Sequence, residues 1–192
     1  MFYRYLIIST LLFVIQFQAF SQVYQIQDEG SIIKVEGNST LHPWTMKASK
    51  MSGKFVPVFE DGVLTGIKEL KLELPAENLK SDKSGLNSDA YEALQTDQYP
   101  NIKFVMYSVE KISKTGTNSY QVNILGKLSI AGNEQIEHIN FDLKKEKDML
   151  HLSGDKSLKM TSFNIEPPSA FFGLLEADDQ VQVQFKITYL RR

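Results

Sequence analysis

The sequence contains no cysteine. That excludes disulfide stapling, thiolate nucleophiles and every cysteine-based metal site, so hydrophobic burial has to carry the fold. Histidine is scarce as well: there are 3, His42, His138 and His151, and no pair has the His-x-x-x-His or His-Glu-x-x-His spacing of a zinc site. A surplus of either charge is also missing. With 21 basic and 23 acidic side chains the formal net charge is −2, which leaves no electrostatic footprint for nucleic acid or an anionic membrane. Gly-x-Ser-x-Gly, Walker and Rossmann patterns do not occur, so nothing marks a nucleophile elbow or a phosphate cradle. Glu166, Asp178 and Asp179 supply carboxylates, but the two aspartates read as solvated turn residues ahead of a strand, and acid–base catalysis has no other support.

Long apolar runs are confined to the start. Arg4 precedes a run from Tyr5 to Phe17, followed by Gln18-Ala19-Phe20-Ser21. At about 1.5 Å per residue the run spans roughly 20 Å, short of the roughly 30 Å hydrocarbon layer. The charged start, core length and small residues predict a secretory signal peptide over residues 1–21, with cleavage before Gln22. No cysteine follows it, which excludes a lipoprotein anchor. Residues 22–192 show no linker, repeat or low-complexity tract and read as one domain, periplasmic or secreted.

What the chain does contain is period-two alternation. Tyr120, Val122, Ile124, Gly126, Leu128 and Ile130 fall on one face, whereas Gln121, Asn123, Leu125, Lys127 and Ser129, nearly all polar, fall on the other. Val181, Val183, Phe185, Ile187 and Tyr189 repeat the pattern, as do Leu70, Leu72 and Leu74, and Ile139, Phe141 and Leu143. One-sided strands belong to antiparallel sheets. Further strands are predicted over Ser31 to Gly37, Thr45 to Pro57, Ile102 to Ile112, Leu150 to Gly154 and Leu158 to Ile165, separated by turns such as Glu60-Asp61-Gly62 and Ala131-Gly132-Asn133. Roughly eight or nine strands joined mostly by short loops indicate an all-β fold, an up-and-down barrel or a sandwich.

One stretch breaks the alternation, between Leu79 and Phe104. Asn87 or Ser88 is placed to cap a helix, Asp89 and Glu92 suit its positive end, and Leu86, Ala90 and Leu94 form a stripe. Pro100 blocks continuation. The expectation is one short helix near residues 87–97 that packs its stripe on the sheets and covers one end of a barrel.

Two features have more than one reading. In Asn38-Ser39-Thr40-Leu41-His42-Pro43-Trp44, the only tryptophan either closes one end of the core or guards a cavity mouth, where His42 meets a polar ligand group. Gly126 either marks a bend or bulge in its strand or leaves room for a ligand. Alternation alone does not separate a packed core from a lined tunnel.

The His-x-Trp segment at His42, Gly53-Lys54-Phe55, the helix with its serine-rich approach, Tyr99-Pro100-Asn101-Ile102-Lys103-Phe104, and Leu125 to Gly132 occur in an order and spacing that resembles the YceI-like family. The resemblance runs over essentially the whole of residues 22–192. It implies a single extended antiparallel lipocalin-like β-barrel of about eight strands, exported, without an assigned catalytic activity or a cofactor. It also implies an elongated apolar interior that in some members holds a polyisoprenoid. The chain departs from the Arg-x-x-Phe-Gly pattern of many relatives, keeping only Phe172-Gly173, and so lacks the arginine that would meet a ligand head group.

On this reading Leu72, Phe104, Met106, Tyr120, Val122 and Ile124 form the wall around an apolar ligand, with Leu128, Phe163, Phe172, Phe185 and Ile187. Tyr91 and Leu94 close over it, and His42 and Trp44 sit near an opening. The expected partner is an isoprenoid or other lipid, with no nucleic acid, no stable membrane insertion of the mature chain, and a homodimer left open. The alternative is a non-catalytic envelope-stress or protein-interaction module with a solid core and no ligand.

Overall fold

The computed structural model describes residues 22–170 and 175–192. The segment assigned to a signal peptide, and Phe172, lie outside the described residues. The alternating segments form strands β1 (Tyr24–Ser39), β2 (Trp44–Ala48), β3 (Ser52–Glu60), β4 (Val63–Pro75), β5 (Asn101–Gly116), β6 (Ser119–Ile130), β7 (Asn133–Glu146), β8 (Met149–Lys159), β9 (Ser169–Ala170) and β10 (Leu175–Arg191). All pair antiparallel. Eight of them close a ring in the order β1-β3-β4-β5-β6-β7-β8-β10, with β10 returning to β1, while β2 extends β1 and β9 extends β10. Closure gives every strand of the ring a partner on both sides over part of its length, which limits the exposed edges that so strand-rich a chain would otherwise present.

Two strand boundaries differ from expectation. Thr45 to Pro57 is divided between β2 and β3, because β2 pairs with β1 through Trp44–Ala48 whereas β3 pairs with β4 from Ser52 onward. Leu158 to Ile165 is not a strand: β8 runs unbroken to Lys159 and gives way to a 3-10 turn, Met160–Phe163, ended by Asn164 in the left-handed region at φ 53°.

Hairpin chemistry sets the register. Both central residues of the β3–β4 turn, Asp61 and Gly62, have positive φ (49° and 77°), as do Ala131 and Gly132 of the β6–β7 turn (47° and 74°). Such two-residue turns match the right-handed twist of the flanking strands. The turns after Glu60, Gly116 and Glu146 share one end of the barrel with Tyr24 and Arg191, which pair with each other. Opposite lie the β1–β2 connection, the β4–β5 connection with the helix, the β6–β7 turn and the segment between β8 and β10.

The first of these ends is solid. Tyr24, Phe55, Leu64, Tyr120, Val122, Leu143 and Leu150 fill it and are fully buried. Phe55 meets Tyr189 edge-on, with centroids 5.6 Å apart and planes at 63°. A buried tyrosine hydroxyl usually finds a hydrogen-bond partner, and two here do: Tyr120 accepts the Leu64 N–H at 3.2 Å, and Tyr24 donates to Gln22 Oε1 at 3.0 Å.

The helix, α1, spans Ser84–Leu94, starting and ending earlier than expected. Lys83 is its N-cap and supplies no side-chain cap. Asn87 instead clamps the approaching loop: its Oδ1 accepts the Ser81 N–H at 2.7 Å and its Nδ2 donates to the Ser81 carbonyl at 3.1 Å. Termination falls to Gln95 in the left-handed region at φ 51°, ahead of Pro100, with Gln95 and Thr96 N–H returning to Glu92 and Tyr91 carbonyls at 3.0 and 3.1 Å. The Pro100 carbonyl accepts the Ala76 N–H at 2.8 Å, tying the two ends of this connection together.

Candidate binding cavity

The half of the barrel beneath α1 is hollow. A cavity of about 650 Å³ occupies it, within the range of small-molecule sites. Its floor is Leu70, Ile124, Phe141, Leu152, Ile187 and Tyr189; Leu72, Phe104, Leu128, Val183 and Phe185 form the sides. Leu86, Ala90 and Leu94 of α1 roof it, together with Phe163 and Ile165 around the 3-10 turn. The expected stripe of α1 therefore faces empty space as well as core. Burial tells the same story: Leu72, Phe104 and Phe185 point inward yet are only partly buried, whereas inward residues of the solid half are fully buried.

Most of the lining is hydrocarbon; the polar side chains along it are Ser39, His42, Lys83, Asp89, Lys156, Lys159, Ser169 and, on the floor, Tyr189. Trp44 stands at the rim with its ring over Gly37 and its Nε1–H donating to the Asn38 carbonyl at 3.1 Å. The Ser39 hydroxyl donates to the His42 carbonyl at 2.9 Å and fixes this turn. The His42 Nδ1 lies 3.1 Å from the Pro43 carbonyl and its Nε2 lies 3.3 Å from Lys83 Nζ. Through these two contacts the ring links the β1–β2 connection to the head of α1.

Lys156 has a different role. It follows Leu150, Leu152 and Gly154 on the inward alternation of β8, opposite Glu137 on that of β7, and the strands pair only between Asp142–Glu146 and Met149–Ser153. Beyond Ser153 they part. Lys156 bridges the gap, its Nζ 2.6 Å from Glu137 Oε2 and donating to the His138 carbonyl at 3.2 Å.

Of the residues singled out from the sequence, His42, Trp44, Leu72, Leu94, Phe104 and Ile124 lie along the cavity, as do Leu128, Phe163, Phe185 and Ile187. Four lie elsewhere. Tyr120 and Val122 belong to the solid half, Met106 packs on the core without reaching the cavity, and the Tyr91 hydroxyl turns away to the Glu77 carbonyl at 2.9 Å. Each strand's inward face runs from the solid half into the hollow half, so alternation gives the face of a residue but not its height. Tyr189, Val183 and Lys156 were missed as site residues. Tyr189 and Val183 shared the alternation of Phe185, and Lys156 was visible as a charge in an apolar register.

Gly126 pairs with Met106 where the β5–β6 register shifts between Met106 and Ser108, so it borders a bulge, and it leaves no gap. A Cβ there would lie 2.3 Å from the Phe104 Cζ and 2.9 Å from the Val105 carbonyl oxygen: the space belongs to the Phe104 ring. Asp179 is likewise no solvated turn residue. It lies in β10 and accepts the Thr161 N–H and hydroxyl, each at 2.8 Å. The Thr161 backbone N–H holds its carboxyl below the ordinary aspartate range. Among the described residues, no group of three or more His, Cys, Asp or Glu side chains could hold a metal ion, and no helix is long and apolar enough to cross a membrane.

Two solved structures share this architecture. Burkholderia cenocepacia BcnA superposes with a TM-score of 0.66 at 16% identity, over 85% of this chain and 98% of that one. A Saccharophagus degradans domain, described as a polyisoprenoid binding domain implicated in plant cell wall breakdown, gives 0.67 at 11% identity, over 88% and 98%. At such identities the likeness establishes the fold. No curated protein matches the sequence. Residues 21–189 match the YceI-like domain, and the chain, a lipocalin-like antiparallel barrel with one helix, belongs to that family.

Proposed function

We propose that the protein is an exported, non-catalytic binding protein that holds a long apolar molecule, a polyisoprenoid, inside the barrel. The observation that carries this reading is the hydrocarbon-lined cavity beneath α1. Each buried CH₂ contributes about 0.8 kcal/mol, so a chain threaded through such a space binds without an elaborate polar site. The Saccharophagus domain of the same fold is described as binding polyisoprenoid, which supports the choice of ligand. Export rests on the Arg4 to Ser21 leader pattern. A solid-cored interaction module is disfavoured by the hollow half.

The test is to express the full chain with its leader in a bacterial host, recover it from the periplasmic fraction, and examine it by native mass spectrometry and solvent extraction. The expected result is a chain beginning at Gln22 that carries a co-purifying lipid. A ligand-free protein that takes up no isoprenoid would overturn the binding reading, and retention in the cytoplasm would overturn export.

A further inference from the structure

Three tyrosines are buried in the barrel, and they are not equivalent. Tyr24 and Tyr120 have hydrogen-bond partners, whereas the Tyr189 hydroxyl has none among the described residues although the residue is only 1% exposed. No side-chain polar atom among the described residues is both wholly inaccessible and unpaired. The Tyr189 oxygen therefore reaches open space, and the space its side chain lines is the cavity floor.

The residues that pair with Tyr189, touch its ring and share its stretch of floor are apolar. Tyr189 pairs with Ile26 and Leu150 across the strands, its ring rests on Phe55, and Ile187 and Leu152 share the floor. Burial raises the phenol well above its ordinary range with no charged neighbour to offset it, so the group stays a neutral donor and acceptor. An ionised head group brought here would lose its water against a single donor. A neutral oxygen would instead satisfy the hydroxyl.

We propose that the Tyr189 hydroxyl anchors the leading end of the ligand, hydrogen-bonding a neutral hydroxyl or carbonyl oxygen on an apolar chain that enters the barrel oxygen-first. This rests on the binding reading above and adds the chemistry and direction of what is bound. The trailing hydrocarbon then lies along Leu72, Phe104 and Phe185 toward the α1 roof.

The experiment compares farnesol with its hydrocarbon counterpart farnesene as displacers of N-phenyl-1-naphthylamine fluorescence, in the wild-type protein and in Tyr189→Phe. The expected result is that the preference for farnesol over farnesene falls about five- to tenfold in the variant, the range of one net hydrogen bond, with farnesene displacing the probe from both proteins. Thermal stability should be equal or higher, since the deleted hydroxyl has no protein partner. An identical preference in both proteins, or a loss of stability in the variant, would overturn the anchor while leaving the binding reading intact. Failure of farnesene to enter either protein would instead overturn the binding reading, and the anchor with it.

Discussion

Three glycines of this barrel lie under aromatic rings from neighbouring strands. Gly126 lies under Phe104, Gly154 under Phe185 with a Cβ-to-Cζ distance of 2.7 Å, and Gly37 under Trp44 at 2.3 Å. In each case a large inward ring on a neighbouring strand occupies the missing side chain's space, which keeps these rings flat against the wall at the border of the cavity. Gly126→Ala should therefore lower stability by about 1–3 kcal/mol in urea unfolding, and the displaced Phe104 ring should reduce uptake of an apolar probe. Gly85, which has open space around its Cβ position, is the control: Gly85→Ala should be neutral or stabilising by up to about 1 kcal/mol. Equal stability of the two variants would contradict the ring-over-glycine account. The sequence showed Gly126 as an anomaly in an apolar register but not its cause, because the covering ring arrives from β5 through a diagonal pairing that local pattern does not record.

The weakest element is the one that roofs the cavity. No residue of α1 is fully buried, its N-cap Lys83 makes no side-chain cap, and Leu86, Ala90 and Leu94 rest partly on empty space. An isolated helix of this length is marginal in water, so α1 is held by its stripe and by the Asn87 clamp on Ser81. Lys83→Asp places a capping carboxylate at the same backbone geometry and should stabilise the helix by about 1 kcal/mol. Hydrogen exchange should then slow roughly fivefold in α1 with β6 unaffected. Unchanged exchange would mean that opening is not limited by the N-terminal turn. Existence and stripe of this helix were legible in Leu86, Ala90 and Leu94. Its start was not, because Asn87 has the chemistry of a cap and uses it three-dimensionally, on a loop, instead of on the helix.

Across the whole molecule the barrel is asymmetric: one half is sealed by tyrosines and phenylalanine, and the other is hollow with a wall that parts between β7 and β8. The Lys156–Glu137 contact at 2.6 Å and the bond to the His138 carbonyl span that gap. Gln135 Nε2 donating to the Ser162 carbonyl and Asn164 Nδ2 donating to Asn133 Oδ1, each at 2.7 Å, brace its upper edge. Partly exposed pairs of this kind contribute little to folding, so Lys156→Ala should change unfolding stability by less than about 1 kcal/mol while speeding release of a bound apolar probe in stopped-flow measurements. Added salt should speed release from the wild type and not from the variant. Release at an unchanged rate would mean that ligands leave only past α1. The barrel itself was legible, since alternation in β4, β6, β7 and β10 fixed which side chains face inward. The site was legible only in part, because Val122 and Leu128 carry the same signal although one lies in the plug and the other beside the cavity.

The pairing of Tyr24 with Arg191, reinforced by the Arg192 N–H to Val23 carbonyl bond at 2.9 Å, brings both described ends of the domain together at the sealed pole. A dye, affinity handle or surface tether attached at either position is therefore held a full strand's length from the rim. The protein can be immobilised or labelled there with its opening facing free solution, and a peptide joining Val23 to Arg192 would have almost no distance to cross.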